Sequence, residues 1–332
     1  MQRRWQRCCC SYRYRYVSIY QCLAIGAMLA RQPTREGEVP LLVCVLAGNS
    51  VTSTIVLSCL NTADARHLRC LQPAVCAVVA GVPWCDLGTH VVDAARWRAG
   101  FPAAVGVQLT NRAANGLLLA SKPAVAALDG VKVLVLEECA EATTDELLLR
   151  LPVPVPTSLD TLNVRDCRNL TGDARFTHLT VLTSLNCSEM KVVSKRTGGL
   201  PPSLQVLDIS SVHELRRGAS LGRLRQLRVL RANGSKLDTR TLASLPPCLE
   251  ELHAAHCDSL TPAASFAHLT ALRLLDVSAT AVEDASLATL PPSLVSLNAR
   301  RCENLTSTAT LPHPNAAATG RERHSHWGRA GG

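Results

Sequence analysis

LQVLDISSV at 204–212, LRVLRANGS at 227–235, LEELHAAHC at 249–257 and LRLLDVSAT at 272–280 follow one another along the chain. Each has leucine at places one and four, an apolar or small residue at place six, and Cys, Val, Ser or Thr at place nine. The same nine-residue frame is found as VKVLVLEEC at 131, LDTLNVRDC at 159, LTSLNCSEM at 182 and LVSLNARRC at 294. Successive starts are 28, 23, 22, 23, 22, 23 and 22 residues apart. A fixed period of that length marks a solenoid of stacked repeats. The segments between frames alternate. LPPSL, LPPCL and LPPSL lead into 204, 249 and 294, whereas FTHLTVL, LGRLRQL and FAHLTAL lead into 182, 227 and 272, so the full unit is a pair of 45 residues.

The spacing predicts a short strand in each frame, apolar side inward, laid parallel to the next about 4.8 Å away. One repeat cannot bury its stripe alone. Leucines past the frame, at 170, 215, 260 and 305, return the chain to the core. FTHLTVL predicts one helical or 3₁₀ turn with Phe176, Leu179 and Leu182 on one side. The tandem prolines predict an extended leg. The fold class read here is an α/β solenoid with a parallel inner sheet and short turn, 3₁₀ or extended outer legs.

The frame resembles the leucine-rich repeat, with its Leu-x-x-Leu-x-Leu-x-x-(Asn or Cys) signature, clearly over about 180 residues. A degenerate earlier copy starts near Ala104, through Val107 and Leu109. The alternation of LPPSL with HLTxL is similar to repeat proteins of kinetoplastid protists. The resemblance implies a protein-binding module. It also implies that place nine, occupied by Cys139, Cys167, Met190, Val212, Ser235, Cys257, Thr280 and Cys302, is buried, where a small group bonds the neighbouring backbone. Buried thiols are inert; redox sensing by Cys139 and Cys167 is the alternative.

Places five and seven face solvent from the sheet. A polar surface on a rigid support is what solenoids use to bind partners. The candidate partner-binding residues are Asn163, Arg165, Asn186, Asp208, Arg231, His253, Asp276, Asn298 and Arg300. Asp208, Arg231, His253 and Asp276 alternate in charge on neighbouring strands, which also avoids stacking like charges. A Ser–His–Asp reading of Asp276, His253 and Ser278 or Ser210 lacks an oxyanion hole and a nucleophile elbow. His253, His256 and Cys257 invite a metal, but Cys257 belongs to the buried column. No phosphate-binding or zinc-protease motif appears. Neither a catalytic residue, a cofactor nor a metal is expected.

The 332 residues carry 35 basic and 26 acidic side chains, a net +9, with 3% aromatics. Residues 1–35 hold seven arginines and no acid, and 312–332 contribute three arginines against one glutamate, so 36–311 sum to zero. A nucleic-acid reader concentrates charge on a folded face, so a protein partner is expected and nucleic acid is not. The expected organisation is a basic leader at 1–35, a poorly patterned cap region at 36–103, repeats at 104–311 and a disordered tail at 312–332. The leader has signal-peptide or presequence form, leaving the compartment open between cytoplasm, secretion and mitochondrion. Val39–Ala63 is long enough to span a membrane but is broken by Gly48, Asn49 and Ser50. HVVDAARWRAGFP predicts a short helix burying Val91, Val92, Ala95 and Trp97. LLVCVLAG and STIVLSCL predict strands or buried segments. Sequons stand at Asn169, Asn186, Asn233 and Asn304. The last repeat lacks a visible cap, which points to end-to-end self-association or a truncated chain. The rival functional readings are a secreted or surface receptor and a substrate adaptor or regulatory subunit.

Overall fold

Leu134, Leu162, Leu185, Leu207, Leu230, Leu252, Leu275 and Leu297, the fourth places of the eight frames, stand in one file across neighbouring strands of the computed structural model. None is more than 3% exposed. Burying a leucine side chain contributes about 1.5–3 kcal/mol, so this file is a principal source of cohesion. The structure describes residues 73–119, 126–137, 139, 141–151, 159–171, 176–190, 199–212, 221–306 and 317–318, with Leu57, Thr62, Ala65 and Arg66. LLVCVLAG lies outside the described residues, and of STIVLSCL only Leu57 is described, helical and buried.

The chain divides into two compact units, Met1–His90 with Ala95–Val107, and Val91–Ala94 with Gln108–Gly332. Elements α1 (Pro73–Gly81), β1 (Cys85–Val91), α2 (Ala94–Gly100) and β2 (Gly106–Leu109) begin the order. In the first unit Trp84 donates Nε1–H to Val79 O at 2.8 Å and meets Phe101 edge-on at 6.0 Å. A Cβ on Gly106 would come within 2.7 Å of Cys85 Sγ, so only glycine fits there. The predicted short helix is present as α2, but its buried residues are Ala94, Trp97 and Gly100. Val91 is buried but belongs to β1, Val92 precedes the helix and is exposed, and Ala95 is exposed because helical spacing of three carries it off the Trp97 face.

In the second unit, α3 (Asn111–Leu119) precedes β3 (Val133–Val135), α4 (Asp145–Arg150), β4 (Thr161–Asn163), β5 (Ser184–Asn186), β6 (Val206–Asp208) and β7 (Val229–Arg231). Then follow α5 (Thr239–Ala243), β8 (Glu251–His253), β9 (Leu274–Asp276), α6 (Asp284–Leu287), β10 (Ser296–Asn298) and β11 (Ala317–Ala318). From β3 to β11 each strand pairs in parallel with the next in chain order. β11 lies inside the tail expected to be disordered and pairs Ser296–Leu297 of β10; the rest of that tail is outside the described residues.

The ladder outlasts the three-residue strands. The residue at place eight has positive φ in every repeat from 159 on: Asp166, Glu189, Ser211, Gly234, His256, Ala279 and Arg301, between 54° and 64°. Its N–H reaches the place-seven carbonyl of the next repeat, as Asp166 to Ser188 (3.0 Å), Gly234 to Ala255 (2.7 Å) and Ala279 to Arg300 (2.7 Å). A left-handed non-glycine residue costs about 1–2 kcal/mol, offset by the added ladder bond and by aiming place nine into the core.

The return legs alternate as expected, with one difference. The legs ending in LPPxL are not extended: α5 and α6 occupy two of them, and each described one closes by a turn, Leu249 N–H to Pro246 O at 3.2 Å and Leu294 N–H to Pro291 O at 3.2 Å. Asp238 caps α5 by accepting Thr241 N–H at 2.8 Å, and that cap favours helix over extension. FTHLTVL and FAHLTAL make consecutive turns with Phe176, Leu179, Leu182, Phe266, Leu269 and Leu272 buried.

Neighbouring legs are joined by hydrogen bonds. Thr171 N–H and Oγ1–H donate to Asp145 (3.0 and 2.5 Å), Thr306 bonds Asp284 in the same way, and Thr261 N–H donates to Thr239 Oγ1 at 3.0 Å.

Two predictions follow from these turns and legs. A Cβ at Gly234 meets nothing nearer than Ser211 Oγ at 3.6 Å, so Gly234→Ala should cost about 1 kcal/mol through backbone strain alone, read as a lowered midpoint of urea unfolding, and Ala279→Gly should not lower it comparably. His178 is half-buried, and burial lowers its pKa against the opposing carbonyl of Leu148. The unfolded chain therefore takes up this proton first as pH falls below the ordinary histidine value of about 6.5, and stability declines with acidification. Thermal unfolding from pH 7.5 to 5.5 should show a shallower decline in His178→Gln than in wild type.

Candidate binding face

Places three, five and seven of the frames make the open side of the β3–β10 ladder. The place-five residues do more than face solvent. Asn163, Asn186, Asp208, Asp276 and Asn298 each turn Oδ1 back to accept the backbone N–H two residues on, at Arg165 (2.9 Å), Ser188 (2.9 Å), Ser210 (2.9 Å), Ser278 (3.0 Å) and Arg300 (3.3 Å). This is the local turn that short Asn and Asp side chains make with their own backbone. Asn298 Nδ2 also donates to Asp276 Oδ2 at 3.0 Å, and Asn163 Nδ2 to Glu137 at 3.2 Å.

Arg165 is spent as well. It pairs with Glu137 at 3.1 Å and Glu189 at 2.7 Å across three repeats. Exposed pairs of this kind contribute about 0–1 kcal/mol each, but they fix where the guanidinium sits. The expected alternation of Asp208, Arg231, His253 and Asp276 is in register on four adjacent strands, yet no ion pair joins any two of them among the described residues. Arg231 and Arg300 are exposed, and His253 is half-buried with Nε2 3.8 Å from Glu251. Of the nine candidate residues, Arg231 and Arg300 have side chains that make no hydrogen bond or ion pair among the described residues, and His253 has only Glu251 beside it.

The catalytic and metal arrangements do not assemble. Asp276 accepts Ser278 Oγ–H at 2.7 Å and Asn298 Nδ2–H, not the His253 ring. No group of three His, Cys, Asp or Glu side chains that could hold a metal forms among the described residues.

Cysteine column and sequons have structural explanations. Cys167, Cys257 and Cys302 donate S–H to the place-six carbonyl of the preceding repeat, Leu136, Ala232 and Val277, each at 3.1 Å. Cys139 does the same to Leu109 O at 3.2 Å, which puts Leu109 where the degenerate copy requires it. Burial pushes the Cys167 thiol up to about 12, and raises Cys187 and Cys257 too. Asn169 and Asn304 donate Nδ2–H to the carbonyls of Glu141 (3.4 Å) and Ala281 (3.0 Å), and the sequon threonines are the ones that join neighbouring legs. Asn186 and Asn233 accept the amides of Ser188 and Ala255. Sequence reasoning missed these local bonds, although an Asn or Asp two residues before a strand end is a visible signal for them.

No protein-family model and no curated protein matches the chain. Among solved structures, TLR13 in complex with ssRNA13 is similar with a TM-score of 0.46, at 18% identity over 73% of this chain and 37% of that one. Internalin C2 from Listeria monocytogenes gives 0.41 at 15% identity, covering 73% of this chain and 90% of that one. The leucine-rich repeat-containing protein LegL7 from Legionella pneumophila gives 0.41 at 14%, over 68% and 74%. The chain spans well under half the length of TLR13. The strand ladder, rather than these likenesses, decides the architecture. The fold is a leucine-rich repeat solenoid.

A thiol at about pKa 12 is not a nucleophile at neutral pH. In native protein treated with iodoacetamide, peptide mapping should find exposed Cys85 alkylated, with Cys139, Cys167, Cys187, Cys257 and Cys302 protected until denaturant is added. Fast native labelling of Cys139 and Cys167 would revive redox sensing.

Proposed function

We propose that this chain is a non-catalytic interaction scaffold that binds a partner protein through the open face of its repeat sheet. The observation that carries the reading is the presence of Arg231 and Arg300, unpaired, with His253 beside Arg231 and held only loosely by Glu251, on a wall where Asn163, Arg165, Asn186, Asp208, Asp276 and Asn298 are held by the fold. The backbone that carries them is already ordered, so binding costs only the rotamer freedom of these side chains. The wall carries Glu137, Asp208, Glu251 and Asp276 interspersed with Arg165, Arg231 and Arg300, so no continuous basic stripe runs along it to track a phosphate backbone, and what it offers an anion is single isolated cations. TLR13 was solved with ssRNA; an equivalent ligand here would lack a basic stripe. Among the described residues no helix is long and apolar enough to cross a membrane. The finer kinship, with the kinetoplastid LPPSL type, rests on the leg alternation alone. Of the four sequons, Asn169 and Asn304 are exposed on the outer legs, and glycan there would favour the secreted-receptor alternative.

A second reading has one observation behind it. Ala299 and Leu305 are half-exposed, where the equivalent Ala254, Val277 and Leu260 are buried. The last repeat therefore offers apolar surface for end-to-end self-association.

Replacing Arg231, His253 and Arg300 together with Ala should abolish recovery of at least one protein captured from cell extract by the wild type. A control carrying Arg223→Ala and Arg225→Ala on an outer leg should retain it. Equal capture by both, with unfolding midpoints unchanged, would falsify the assignment of the binding face.

A further inference from the structure

The turn bonds on the open face follow a pattern with a defect in it. At place seven, the backbone N–H groups of Arg165, Ser188, Ser210, Ser278 and Arg300 are each taken by the Asn or Asp two residues earlier. Ala255, whose place five is His253, is served from the side by Asn233 Oδ1 at 3.0 Å. Two repeats remain. In the first, place five is the buried Val135, and the residue at place seven is Glu137, whose carboxylate is held by Arg165 and Asn163. In the other, place five is Arg231. A guanidinium has no acceptor to offer, and the Asn233 N–H has no hydrogen-bond acceptor among the described residues.

Beside that amide stands Arg231, whose register partners are Asp208 on β6 and His253 on β8. Arg231 is exposed and makes no ion pair among the described residues. The nearby acids are in part engaged: Asp276 by Ser278 and Asn298, and Asp208 Oδ1 by the Ser210 amide. Glu251 lies nearest His253, at 3.8 Å. In place of the missing side-chain oxygen stand an open amide and an unpaired guanidinium, donors suited to a carboxylate.

Building on the proposed binding face, we infer that the gap at Arg231 and Asn233 receives an Asp or Glu side chain from an acidic segment of the partner, which supplies the oxygen that Asn or Asp supplies in the other repeats. The bound carboxylate accepts from Asn233 N–H and from Arg231, with His253 at its flank. Arg231→Asn restores the internal acceptor and thereby closes the site. It should raise the unfolding midpoint while removing the binding, a combination that simple loss of a charged contact does not produce.

The probe is an acetylated, amidated hexaglutamate peptide titrated into the full chain, followed by the ¹H–¹⁵N resonance of Asn233, with hexalysine as comparison. Hexaglutamate should shift Asn233 saturably downfield. Arg231→Asn should weaken this by about tenfold or more, and Arg231→Ala, which leaves the amide open, should weaken it less. No saturable shift with hexaglutamate, an equal shift in Arg231→Asn, or a shift with hexalysine alone overturns the inference. If hexaglutamate fails while the triple Ala variant still loses its captured protein, the acidic-segment inference falls and the binding face stands. If the triple variant also keeps its partner, both fall.

Discussion

The lateral hydrogen bond from one repeat's amide to the next repeat's carbonyl is the constraint on which the molecule rests. It holds neighbouring strands at one spacing, about 4.8 Å, and at that spacing the leucines of place four must form a file. The legs between strands vary from repeat to repeat, yet the register is kept, because only the rungs are tied. Leg length changes loop entropy weakly, whereas slipping a rung by one residue would turn its leucine outward. The left-handed residue at place eight belongs to the same constraint: it prolongs the ladder and turns the ninth side chain to the neighbouring carbonyl.

The polar wall follows from the ladder in turn. Where the strand ends, an amide on the open face loses its ladder partner, and an Asn or Asp two residues earlier supplies the acceptor. Asn163, Asn186, Asp208, Asp276 and Asn298 therefore serve the backbone before they serve any ligand. Arg165 is confined between Glu137 and Glu189. The recognition chemistry of the wall narrows to the places where this economy is interrupted, at Arg231 and His253, and at Arg300 near the end.

The file of leucines and the alternation of legs were legible in the sequence, because period and residue size express them directly, and the burial of the cysteine column followed from the resemblance to the leucine-rich repeat. The left-handed column was not. Of its seven residues only Gly234 advertises positive φ, and Asp166, Ser211 or Arg301 reveal nothing without the bond that compels them. The helices of the LPPxL legs were hidden behind their prolines, although Asp238 stood ready as the cap of α5. Of the candidate site, the nine named residues are partly or fully exposed while Val135, Ser188 and Ala255 of the same rows are buried, and a row of Asn and Asp reads the same whether it awaits a partner or closes its own turns. The helix expected over HVVDAARWRAGFP starts only at Ala94, which leaves Val92 exposed ahead of it and turns Ala95 away from the Trp97 side.

The bonds between legs join unlike neighbours. Thr171, Thr261 and Thr306 belong to one class of repeat, and Asp145, Thr239 and Asp284 stand on the leg before them. Duplicating a single repeat would place donor beside donor and leave a threonine facing the wrong leg. Duplicating two together preserves every seam. The heritable unit by which such a molecule lengthens or shortens without injury is thus the doublet, and relatives of different size should differ by even numbers of rungs.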